Sequence, residues 1–75
     1  VKRVPVLRAR EIVSALRKAG FEVVHQTGSH ARLRREGSPP AFVTVPIHGG
    51  DVPRATLRRI LDQARLSVEE FTELF

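Results

Sequence analysis

The chain predicts an α+β fold of order α-β-β-β-α with a short terminal helix, in which a three-stranded antiparallel sheet carries both long helices on one face. Three observations lead there. Ile12, Ala15, Leu16 and Ala19, and again Leu57, Ile60, Leu61 and Ala64, place apolar residues at the spacing of one helical face. Between these stretches lie three short strand-like runs, separated by Gly-Ser and Pro-Pro punctuation; connections that short join antiparallel neighbours. The length, 75 residues, suits one domain near the small end of what folds without staples, so residues 1–75 read as a single domain.

Taken in order, residues 1–7 read as an extended leader, in which Val4, Pro5, Val6 and Leu7 dock on the core. A first helix follows over Arg8 to Ala19. Gly20 fits the left-handed position beyond its end, and Arg17 and Lys18 complement the helix dipole there; Arg8 is a poor N-cap. Phe21 to Gln26 is the first strand. Gly28-Ser29 is a two-residue hairpin turn, with Gly28 expected at positive φ. His30 to Arg35 is the second strand, with His30, Arg32 and Arg34 on one face and Ala31 and Leu33 on the other. After the Gly37-Ser38-Pro39-Pro40 loop, Phe42 to Val45 is the third strand, stopped by Pro46. Residues 47–51 form a flexible connection. Pro53 fits a first helical turn with Asp51 as capping candidate. Ser67 and Glu70 form a capping box for a last helix over Val68 to Leu74, whose Phe71, Leu74 and Phe75 are placed to close over the core. The helices are expected to cover the Ala31/Leu33 face, leaving His30 on the open one.

Composition narrows the function. There is no cysteine, hence no disulfide framework and no Cys-based zinc site. No apolar run is long enough to span a membrane and no signal-peptide pattern opens the chain, so a cytoplasmic protein without membrane contact is expected. Net charge is +5, unevenly spread: residues 1–65 carry all 13 Lys and Arg against five acids, while 66–75 carry Glu69, Glu70 and Glu73 and no base. A basic body suits nucleic acid, though a solvated basic surface would look the same. Arg32 and Arg34 gain weight from sharing a face with His30. Arg54, Arg58 and Arg59 could extend that patch, but read first as solvating the second helix. The four Phe read as core or cap residues, and with no Trp or Tyr the signal for base stacking is poor.

The histidines differ. His30, exposed on a rigid element beside arginines, is the candidate for proton transfer. RNA cleavage through the 2′-hydroxyl needs a base for that proton, cations for the phosphorane charge and an acid for the leaving oxygen. Ser29 could orient the imidazole, although turn chemistry explains it equally. His48 reads first as a loop residue that positions the backbone. His25 reads as a half-buried strand residue. No carboxylate or cysteine joins the three at a metal-ligand spacing, so no metal or other cofactor is expected.

Four segments, Leu16-Arg17-Lys18-Ala19-Gly20-Phe21, Gln26-Thr27-Gly28-Ser29-His30, Val45-Pro46-Ile47-His48-Gly49 and Thr56-Leu57-Arg58-Arg59-Ile60-Leu61, together resemble the HicA family of mRNA-interferase toxins. Each is weak alone; their order and spacing agree over nearly the whole chain. The chain departs from the family pattern at Ala55, where a Gly commonly opens the second long helix, and at Arg8, where a polar cap is common. The resemblance implies a double-stranded-RNA-binding-domain-like fold and the toxin of a type II toxin–antitoxin pair. Such a toxin would be a metal-independent endoribonuclease acting on mRNA, neutralised by a HicB-like antitoxin. His30 falls on the essential histidine, with Gly28 and Ser29 on the turn and His48 on the histidine of a Pro-x-His-Gly segment. Arg32, Arg34 and Lys18 are the expected RNA contacts. The alternative is a non-catalytic RNA-binding module on the same fold, which would not need a histidine at position 30. A third possibility, a basic face that meets an acidic protein, merges with the first if that protein is the antitoxin. An exposed strand edge would also let two copies pair.

Overall fold

The computed structural model describes residues 6–75. Its elements are β1 (Leu7–Arg8), α1 (Ala9–Lys18), β2 (Glu22–Gln26), β3 (His30–Arg35), β4 (Ala41–Pro46), β5 (Asp51–Val52), α2 (Arg54–Ala64) and α3 (Val68–Thr72). The central sheet is antiparallel in the order β2-β3-β4, the meander expected from the short connections. Strand alternation divides it into two faces. Ala31 and Leu33 of β3 and Ala41, Val43 and Val45 of β4 are buried among Ile12, Ala15 and Leu16 of α1 and Leu57, Ile60, Leu61 and Ala64 of α2. Both helices therefore cover one face, and the other stays open. Among the described residues no polar or charged side chain is buried. The core is wholly apolar, and the chemistry has to lie on the surface.

The helix ends follow local rules, with substitutions. Arg8 has no acceptor to offer α1, but its own N–H donates to Glu11 Oε1 at 3.0 Å, which is the reciprocal half of a capping box. Gly20 takes φ +100 past the end of α1, as its position predicts. At the end of α2 the left-handed residue is Arg65, with φ 58, held by bonds from its N–H to the Asp62 carbonyl and from Leu66 N–H to the Leu61 carbonyl. Ser67 and Glu70 form the expected box: Ser67 Oγ accepts from Glu70 N–H at 3.0 Å and Glu70 Oε1 from Ser67 N–H at 2.9 Å.

Several expectations change. Asp51 does not cap α2; it pairs with Arg8 in the small β1–β5 sheet, and Pro53 is the residue that precedes the helix. A two-residue ladder carries no periodicity, so nothing in the sequence announces it. Leu7 of the leader docks there against the buried Val52, but Val6 is 49% exposed and does not dock on the core; Val4 and Pro5 lie outside the described residues. Phe75 is 60% exposed, edge-on to the buried Phe71. His25 is exposed, because β2 is an outer strand without a buried residue. Phe42 is 41% exposed on the open face, since Val43 and Val45 on either side of Thr44 claim the core.

Candidate active site and nucleic-acid interface

The turn that delivers His30 is built by Thr27. Gly28 does not adopt positive φ, contrary to the expectation for a primed hairpin turn. Instead the Thr27 hydroxyl accepts from Ser29 N–H at 3.3 Å and from His30 N–H at 3.0 Å, while Thr27 N–H donates to the His30 carbonyl at 2.8 Å. A side-chain oxygen that gathers the turn amides replaces the backbone geometry that would have required glycine. The Ser29 carbonyl accepts from Ile47 N–H at 2.7 Å, which fastens the turn to the end of β4.

Against this fixed backbone, Ser29 Oγ lies 3.0 Å from His30 Nδ1. Occupying Nδ1 fixes the ring and leaves Nε2 as the nitrogen for a substrate proton. His30 is exposed, and it lines a shallow groove with Thr44 and Pro46 of β4 and Thr56, Arg59 and Gln63 of α2. Gln63 also closes the outer edge of β4, its Oε1 accepting from Thr44 N–H at 3.2 Å. The imidazole thus stands where the open sheet face meets the polar side of α2.

The register extends the site into rows. His30 is opposite Pro46, Arg32 lies between His25 and Thr44, and Arg34 lies between Glu22 and Phe42. A register shift between Val23 and His25 inserts the extra residue Val24 and brings His25 opposite Arg32. Both Arg32 and Arg34 lean on Phe42, with guanidinium carbons 4.9 and 5.9 Å from the ring centroid. Arg34 is further paired with Glu36.

Of the residues named from sequence, the fold therefore brings together His30, Ser29, Arg32 and Arg34, with Gly28 in the turn. It sets the others apart. Lys18 is on the helix side, where its Nζ donates to the Leu74 carbonyl at 3.2 Å and it lines a separate groove with Arg10 and Arg17. His48 follows the anchored Ile47, but its Nδ1 is 3.2 Å from the Gly49 carbonyl. Among the described residues, no three His, Cys, Asp or Glu side chains are grouped to hold a metal ion. Arg35, next to Arg34 in the chain, alternates to the helix side: it donates to the Ala64 carbonyl at 3.2 Å and the Ala19 carbonyl at 3.4 Å, over the Phe21 ring. It thereby serves the carbonyl ends of both long helices.

From sequence alone, Thr27 and Gln63 have no role, Arg59 reads first as solvating its helix, and Phe42 reads as a core or cap residue. Alternation from Val43 and Val45 was the available signal for Phe42. Arg59 and Gln63 sit four apart on one side of α2, but only packing shows which element that side overhangs.

No curated protein matches the chain. Residues 9–66 match the family model described as HicA toxin of bacterial toxin–antitoxin. That span runs from the first residue of α1 past the end of α2, through the sheet and the His30 turn. With the exposed histidine, its serine and the arginine-bearing sheet face all inside the matched region, the chain belongs to the HicA family of bacterial toxin–antitoxin toxins.

Proposed function

We propose that this chain is the ribonuclease toxin of its pair, cleaving mRNA with His30 as the proton-transfer residue. The observation that carries this is the imidazole itself: exposed, held at Nδ1 by Ser29 and flanked by Arg32 and the groove residue Arg59. In the reaction, His30 Nε2 takes the proton of a ribose 2′-hydroxyl, and O2′ attacks the adjacent phosphorus. The P–O5′ bond breaks as the 5′-oxygen takes a proton from solvent water, leaving a 2′,3′-cyclic phosphate and a 5′-hydroxyl end. Arg32 and Arg59 stabilise the negative charge that builds on the phosphorane, with Arg34 adding to the field.

A HicB-like antitoxin would neutralise the toxin by covering this same face, denying RNA both the arginines and His30. Family membership supports a partner of that kind.

The experiment incubates the pure protein with a long mRNA in the presence of EDTA. Cleavage with cyclic phosphate ends is expected, and His30→Ala should lower its rate by at least about 10²-fold. Circular dichroism should stay unchanged, because the side chain is exposed. A folded His30→Ala protein that cleaves at the wild-type rate overturns the assignment. Bound but intact RNA with the wild-type protein favours the non-catalytic binding module.

A further inference from the structure

We infer that Phe42 is a nucleobase-binding residue, a stacking platform for one unpaired base of the RNA whose cleavage is proposed above. The inference rests on that reading for its ligand and adds a site to it. Three observations carry it. Phe42 is an aromatic ring left 41% exposed on the open face of the sheet, although the core has room for Phe21 and Phe71. It is framed by cations, with Arg32 at 4.9 Å and Arg34 at 5.9 Å from its centroid. It also shares the face of His30, at a fixed distance set by the ladder: Phe42 is four residues along β4 from Pro46, the partner of His30. At the rise of an extended strand that separation is about 13 Å. A base on Phe42 would thus lie roughly two nucleotides along an extended strand from the phosphate at His30.

The chemistry selects single-stranded RNA. A base inside a duplex keeps its faces against its neighbours, so only an unpaired one can lie flat on a side chain. A surface contact between a guanidinium and a ring is weaker than base–aromatic stacking. An incoming base therefore displaces Arg32 from the ring, and the freed guanidinium turns to the flanking phosphate. Rings of every base have a π-face, so the platform tolerates sequence while fixing the register of the strand at His30.

The chain contains no Trp or Tyr, so Phe42→Trp introduces a single indole at the proposed platform. In a His30→Ala background, which keeps RNA intact, a short single-stranded oligoribonucleotide is titrated while labelled-RNA anisotropy and indole emission are followed together. The expected result is quenching that saturates with the anisotropy, and no quenching by inorganic phosphate. In the same background, Phe42→Leu should weaken single-strand binding by about tenfold or more and leave duplex RNA binding unchanged. RNA that binds by anisotropy without altering the indole, or a Phe42→Leu protein with undiminished single-strand affinity, overturns the platform and leaves the ribonuclease reading standing. A wild-type protein that neither binds nor cleaves RNA overturns both.

Discussion

Thr27 shows how much a single hydroxyl can decide. By accepting from the amides of Ser29 and His30 it holds the catalytic candidate in place, while Gly28 has neither a positive φ nor any atom within 4 Å of where a Cβ would stand. Gly28→Ala should accordingly leave stability within about 0.5 kcal/mol of wild type, as for an ordinary surface substitution. Thr27→Val, which removes the acceptor but keeps the branching, should cost about 1 kcal/mol and loosen the ring of His30. Thermal unfolding of the two variants, with RNA cleavage measured in parallel, checks this; a destabilised Gly28→Ala beside a neutral Thr27→Val would refute it. The Gly-Ser pair announced the turn from sequence. The residue that organises it lies one position earlier and was legible only once the hydrogen bonds were placed.

Among the elements, the helices were the most legible, because their apolar stripes agree with their ends: Gly20 after α1, Ser67 and Glu70 at α3. The capping box also carries a pH dependence. The hydrogen bond from the Ser67 backbone N–H, followed by that involving the Ser67 side chain, holds the Glu70 carboxyl below its ordinary value. A carboxyl lowered by folding contributes stability that is present above its unfolded pKa and is lost as pH falls through its folded one. The difference in Tm between wild type and Glu70→Gln should therefore be largest near neutrality and shrink as the solution becomes acidic beyond the ordinary carboxylate range. A difference that grows with acidity would contradict the cap assignment. Element type and order were legible as well, whereas the β1–β5 pair was not: two residues in each strand are too few to carry a pattern, and the ladder exists because α1 and the approach to α2 lie side by side.

At the scale of the molecule, net charge is less informative than its placement. Of the arginines, Arg35 is committed to helix ends and Arg65 donates to the Pro39 carbonyl at 3.1 Å, so neither belongs to the RNA face. Arg32 and Arg34, the latter paired with Glu36, remain on the open sheet face, and Arg59 lines the groove of His30 from α2. With about three phosphate contacts to single-stranded RNA, the logarithm of the binding constant should fall against log salt with a slope of about −2. That is near a twentyfold loss between about 50 and 200 mM salt. The measurement is a titration of the His30→Ala protein at several salt concentrations. A slope near zero would remove these arginines from the interface, and one about twice as steep would add the helix-side cations Arg10, Arg17 and Lys18.

The amino-acid order by itself determined the sheet, its two faces and the exposure of His30, because strand alternation and helical spacing are local consequences of backbone geometry. It also carried enough of the HicA pattern to name the family. The tertiary structure alone decided which arginines are spent on carbonyls and which face outward, since that depends on what lies across from each side chain. It alone placed Arg59 and Gln63 beside His30, by laying α2 along the edge of β4. Alternation with Val43 and Val45 turns Phe42 away from the core, and the tertiary structure leaves it in the open, because two helices fill one side of a three-stranded sheet and nothing in the described chain covers the other.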